Sequence, residues 1–149
     1  MKVSYSSDSA PSATLSRHGL RVLLVYPNTR DVAMANLGFQ QVYSLLNQIE
    51  GVECDRYAFP VGWKPETQSL SREAMRSMDS QKHPLDFDVI AFSISFEPDY
   101  LNAVLALKYF GIPLDREARD ASHPMITAGG SAIFINPEPL AECMDVLFI

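Results

Sequence analysis

Residues 20–38 read LRVLLVYPNTRDVAMANLG, an apolar run that passes into turn residues and then into a helical pattern. Leu20, Val22, Leu23, Leu24 and Val25 form a nearly continuous, β-branched-rich run, which suits a strand covered on both faces in a parallel sheet. Pro27 and Asn28 break it. From about Ala35 the period lengthens, and Leu37, Val42, Leu45, Leu46 and Ile49 are spaced for one face of a helix. Strand, turn and helix in that order open an α/β domain, and in such folds the turn is where ligands sit.

Working outward, Gly51 is placed to end the helix in a left-handed conformation, and VECDRYAF predicts a second strand from about Val52 to Phe59. Leu70, Met75 and Met78 predict one short helix within residues 68–81. DFDVIAFSI, from Asp86 to Ile94, is the second strongly apolar strand, again expected to be buried on both faces. A helix follows with Pro98 in its first turn and closes at Gly111 and Pro113. Met125 to Thr127 predicts a fourth strand before Gly129 and Gly130, and DVLFI a fifth. Strands alternating with helices imply right-handed crossovers, so the expected fold is a flavodoxin-like or Rossmann-like, doubly wound α/β domain. It has a five-stranded, mainly parallel sheet in a three-layer arrangement. Residues 1–18, Ser-rich and without an apolar signal core, read as a flexible leader, and residues 19–149 as the domain. A final apolar strand with nothing to cover it predicts a fragment of a longer protein, with an apolar side that meets another domain or a second copy in a homodimer.

The 149 residues suffice for one well-buried domain. A net charge of −6 argues against sequence-independent nucleic-acid binding, which needs clustered Lys and Arg. No apolar run reaches the ~18 residues of a membrane span. Without an export signal the expected compartment is the cytoplasm. Cys54 and Cys143 stand far apart in no CxxC pattern and read as ordinary reduced thiols. His18, His83 and His123 lack a Ser, Cys or Asp at catalytic spacing and read as surface residues. Trp63 is expected to pack as a lid on the core.

Three polar loops should meet at the carboxyl edge of the sheet: YPNTRDVAMANLG, SISFEPDY and AGGSAIFINPEP. They offer Asn28, Asp31, Asn36, Ser93, Ser95, Gly129, Gly130 and Ser131 as candidate ligand contacts. Each has a plain structural role as well: Asn28 and Asp31 form turns, Asn36 caps a helix, and the glycine pair turns a corner. GxxxxGK[ST] and GxGxxG are both absent, which argues against a phosphate-binding loop. Asp31 and Glu97 alone do not make the carboxylate cluster of a response-regulator receiver.

Taken together, RVLLVYPNTRDVAMANLGFQQVYSLLN, DFDVIAFSISFEPDYLN and ITAGGSAIFINPEPLAE resemble the amino-terminal, cobalamin-binding-like domain of a family of bacterial radical S-adenosylmethionine (SAM) proteins. The resemblance covers residues 21–149. It implies a parent enzyme that cleaves SAM reductively at a [4Fe–4S] cluster held by a CxxxCxxC loop, with this domain docking on the catalytic barrel of the same chain. CxxxCxxC does not occur here, so no catalytic residue is assigned. Cobalamin domains of this type carry DxHxxG, SxL or SxT, and GG. Ser93 and Ser95 match the second element, and Gly129 and Gly130 the third. In the first, Asp31 is followed by Val32, Ala33 and Met34, so this loop supplies no axial histidine to cobalt. Cobalamin held without that ligand, and a domain that has lost the cofactor, are both open. A different class of function, a stand-alone flavodoxin-type module binding a small ligand at the same loops, is the alternative.

Overall fold

The structure, a computed structural model, describes residues 19–65 and 69–149. The expected leader, and Gln68 at the start of the expected 68–81 helix, lie outside the described residues. The elements run β1 (Leu20–Thr29), α1 (Arg30–Ala35), α2 (Leu37–Leu46), β2 (Val52–Phe59), β3 (Val89–Ser93), α3 (Asp99–Phe110), β4 (Met125–Gly129), α4 (Ser131–Ile135) and β5 (Val146–Leu147). The five strands form one sheet in the order β2-β1-β3-β4-β5, and every pairing is parallel. This is the doubly wound, flavodoxin-like class expected from the sequence. Connections from β1 run one way along the sheet and those from β3 the other, so the switch point lies between the carboxyl ends of β1 and β3.

Alternation along the strands splits the core in two. Leu23, Val25, Tyr57, Phe59, Ile90, Phe92, Ile126 and Ala128 point to the face that α3 covers with Ala103, Ala106, Leu107 and Phe110. Trp63 stacks on Phe59 at 3.8 Å between ring centroids and closes this core, as expected. Val22, Leu24, Tyr26, Cys54 and Ala58 point to the other face, where α1 contributes Ala33 and α2 contributes Phe39. Tyr26 meets Phe39 edge-on, with ring centroids 5.4 Å apart.

Three expectations are corrected. The helix after β1 is two helices, because Asn36 adopts an extended backbone, ends α1 and accepts a hydrogen bond from the Phe39 amide to start α2. Its inward face carries Phe39, Tyr43 and Leu46 rather than the whole apolar set, leaving Leu37, Val42, Leu45 and Ile49 exposed. The aromatic ring at Phe39 offers the larger apolar area and takes the sheet contact. Within residues 68–81 only a single 3-10 turn, Glu73–Met75, forms, since three apolar residues among many polar ones cannot anchor a longer helix. Finally, β3 is fully enclosed on one face only: Ile90 and Phe92 are buried, whereas Val89, Ala91 and Ser93 are half-buried, Val89 and Ala91 packing against the edge of the second core.

Ion pairs cluster at the amino edge. Arg21 clasps Asp88 with its backbone amide and guanidinium, tying the start of β1 to the entry of β3. Burial opposes charge on Asp88, yet the donated hydrogen bonds and positive charge of Arg21 outweigh it and hold the carboxyl below its usual range. Arg119, its side chain 4% exposed, donates to the carbonyls of Pro113 and Cys143 and to Asp145, which in turn accepts from the Ile126 amide. That network fastens β5 to β4.

Candidate functional site

Proline in a central strand removes a ladder donor and forces an irregularity. Pro27 does so in β1: pairing with β3 ends at Val25, and the register against β2 shifts between Val25 and Thr29. The chain therefore parts from β3 after Val25 while Thr29 still pairs with Phe59, leaving Asn28 at the switch point. Asn28 donates to Asp99 Oδ1 at 2.8 Å and accepts from the Thr29 amide, tying the end of β1 to the start of α3. Asp99 is buried in the first turn of α3, accepts also from Asn102, and among the described residues its Oδ2 has no hydrogen-bond partner. No local sequence signal marked Asp99, since an acidic residue at a helix start ordinarily faces water.

Burial pushes the Asp99 carboxyl above its ordinary value, and the amides of Asn28 and Asn102 lower it by less. An acid whose folded pKa is raised binds its proton more tightly in the folded chain. Its stabilising contribution is therefore full below the ordinary carboxylate range and is lost as pH rises to the raised value. Asp99→Asn keeps an acceptor for Asn28 and removes the buried charge. Thermal unfolding between about pH 4 and 7 is expected to show the variant gaining stability relative to the wild type as pH rises. A difference between the two that does not change with pH would contradict the burial of an ionisable proton here.

The other candidate residues fall into two groups. Asn36, Ser93, Ser95, Gly129, Gly130 and Ser131 gather around the mouth of a groove of about 690 Å³. There the Asn36 amide donates to the Tyr26 hydroxyl (3.2 Å) and to Ser95 Oγ (3.3 Å), while the Ser131 hydroxyl donates to the Ser95 carbonyl. Asn28 and Asp31 lie outside this groove, Asn28 facing Asp99 and Asp31 lining a shallower depression with Val32, Ala35 and Phe96. Below its polar mouth the groove is mostly apolar, with Leu20, Val22, Leu24, Val89, Ala91 and Met125 along its floor and Thr127 as a polar group among them.

Gly130, at φ 114°, is the closest approach at this edge: a Cβ there would lie 2.4 Å from the Ile94 carbonyl oxygen. Its missing side chain thus admits the end of β3. A Cβ on Gly129 would meet Phe148 Cβ at 3.3 Å. Ala33, at the position of the cobalamin-type histidine, is fully buried in the core beneath α1.

Neither cysteine is in a disulfide. Cys54 is buried on β2 with its thiol pushed up to about 12 by burial, and burial also raises the thiol of Cys143. Among the described residues no group of three or more His, Cys, Asp and Glu side chains is placed to hold a metal ion. His123 sits against Asp120, whose carboxyl is lowered to about 2, chiefly by hydrogen bonds from Ser122. Among the described residues no helix is long and apolar enough to cross a membrane.

Fold and site together define a doubly wound α/β domain with a polar carboxyl edge above a largely apolar groove. Residues 38–149, three quarters of the chain, match the family described as radical SAM proteins, N-terminal, and the chain belongs to that family. No curated protein matched it.

Proposed function

We propose that the chain is the amino-terminal accessory domain of a radical SAM enzyme, joined in one polypeptide to a catalytic barrel on which it docks. The family match carries this reading. The domain's part is to dock on and help close that barrel. SAM consumption by the full-length, anaerobically prepared protein under reducing conditions tests the reading, and a protein that leaves SAM unchanged counts against it.

A second reading, cobalamin held at the carboxyl edge, is favoured by one observation: Ser93, Ser95, Gly129 and Gly130 converge on one groove mouth. With Ala33 buried, the first loop offers cobalt no imidazole. Titration of the full-length protein with hydroxocobalamin, followed by absorbance, separates the readings. A saturable spectral change places the cofactor here, and none leaves the docking function alone.

A further inference from the structure

Among the described residues Met34, in the last turn of α1, is the methionine whose sulfur accepts hydrogen bonds. Its Sδ takes one from Gln40 Nε2 at 3.4 Å and one from Arg56 Nη1 at 3.9 Å, and the side chain is 43% exposed. Both donors are held in place by other contacts. Arg56, on β2, pairs through Nε and Nη2 with Asp79 and lies over the Tyr43 ring, 4.0 Å from its centroid. Its Nη1 also donates to Gln40 Oε1 at 2.9 Å, while Gln40 Nε2 donates to the Ala33 carbonyl at 3.3 Å. Each of these two nitrogens carries two protons. An oxygen takes one from each, and the other is left to the thioether. Sulfur is a weak acceptor, so two anchored N–H groups, one of them cationic, face the poorest acceptor in the network.

We propose that Met34 is a site of reversible oxidation, at which a peroxide converts the thioether to a sulfoxide that Gln40 and Arg56 then hold. A sulfur lone pair attacks one oxygen of hydrogen peroxide. The S–O bond forms as the O–O bond breaks, and the sulfur gives up two electrons. The proton of the transferred oxygen passes to the departing hydroxide, which leaves as water. In the reverse step two thiols of a sulfoxide reductase become a disulfide, and the oxygen leaves as water.

Methionine oxidation ordinarily weakens a fold, because it places a polar group among apolar ones. Here the sign is reversed. The new oxygen, a far stronger acceptor than sulfur, meets donors already in position, and an exposed side chain forfeits no core contact. Oxidation therefore clasps α1 more tightly to α2 and β2. Asp31, Val32 and Ala35 of α1 line the shallow depression at the carboxyl edge, so the state of Met34 is carried to the edge where this fold takes ligands. The inference is independent of the accessory-domain reading.

Hydrogen exchange read by mass spectrometry on the full-length protein, after limited treatment with hydrogen peroxide, is the test. Oxidised and unoxidised copies of the peptide spanning residues 30–40 are compared within one sample. The oxidised copy is expected to exchange about three- to tenfold more slowly, the worth of one gained hydrogen bond. Methionine sulfoxide reductase is expected to return it to the unoxidised rate. Met125 is 51% exposed and its sulfur meets no donor among the described residues, so its oxidation should slow nothing in its own peptide.

In the double variant Gln40→Leu with Arg56→Leu the difference at Met34 should disappear. Should that variant fail to fold, the wild-type comparison decides alone. An oxidised copy that exchanges as fast as the unoxidised one, or faster, would overturn the proposal and leave Met34 a site of damage only. Met34 staying reduced under conditions that oxidise Met125 would overturn it as well.

Discussion

Gly130→Ala is expected to destabilise the domain by on the order of 3–5 kcal/mol, the upper range for a single substitution. Two costs combine. At φ 114° an alanine sits in a region that L-residues rarely enter, which costs on the order of 1–3 kcal/mol. The added Cβ would also lie 2.4 Å from the Ile94 oxygen and 2.9 Å from its carbon and nitrogen, all backbone atoms that cannot rotate away. The Ile94 carbonyl accepts the Ala132 amide at the start of α4, and its amide donates to Gly129, so relief by movement breaks the β3–β4 junction. Chemical denaturation measures the loss. Gly51→Ala is the comparison, since it has φ 79° but open space around its Cβ position. Equal losses at the two glycines would show that conformation alone, without the close approach, sets the requirement at Gly130.

The second large effect is expected at Asp145→Ala. The Arg119 side chain is almost wholly buried, and among the described residues the carboxylate that pairs with it is that of Asp145, 30% exposed, with two carbonyls accepting from one guanidinium nitrogen. Removing one partner of a fully buried pair strands a charge and costs about 3–5 kcal/mol; with Asp145 itself 30% exposed, water reaches the gap and the expected loss is about 2–3 kcal/mol. The Ile126 amide loses its acceptor as well. The double variant Arg119→Met with Asp145→Ala removes both charges and is expected to be more stable than Asp145→Ala alone, because the stranded cation is the dominant cost. If the double variant were instead the less stable by the full sum, the network would be acting as independent contacts. Hydrogen exchange in wild type and variants should place the loss in β4 and β5.

How much of this was legible in the residues varies with the length scale of the cause. The apolar runs Leu20–Val25 and Val89–Phe92 are local and mark the central strands, and Gly111, at φ 75°, ends α3 where expected. The doubly wound class follows from their alternation with helices. The division of the first helix at Asn36 was half visible: its capping character was read, but not that the cap would interrupt a continuous apolar period. Asp99 was not visible at all, because its burial depends on Asn28, 71 positions away in the chain. The eight candidate contacts illustrate the same limit. Topology brought six to one groove mouth, yet only three-dimensional packing shows that Gly130 serves the Ile94 backbone and that Asn36 is engaged with Tyr26, Ser95 and Phe39. Nor did its continuous apolar run reveal that β3 is fully enclosed on one face only, since burial on one side and on both look alike in composition.

The central claim is that this chain is the accessory domain of a protein whose iron–sulfur chemistry lies in another domain. Anaerobic reconstitution of the full-length protein with iron and sulfide, followed by metal analysis and electron paramagnetic resonance after reduction, tests it most directly. One [4Fe–4S] cluster per chain, retained when Cys54 and Cys143 are both replaced by alanine, is the predicted result. A full-length protein that binds no cluster, or one whose cluster is lost with these two cysteines, would contradict it.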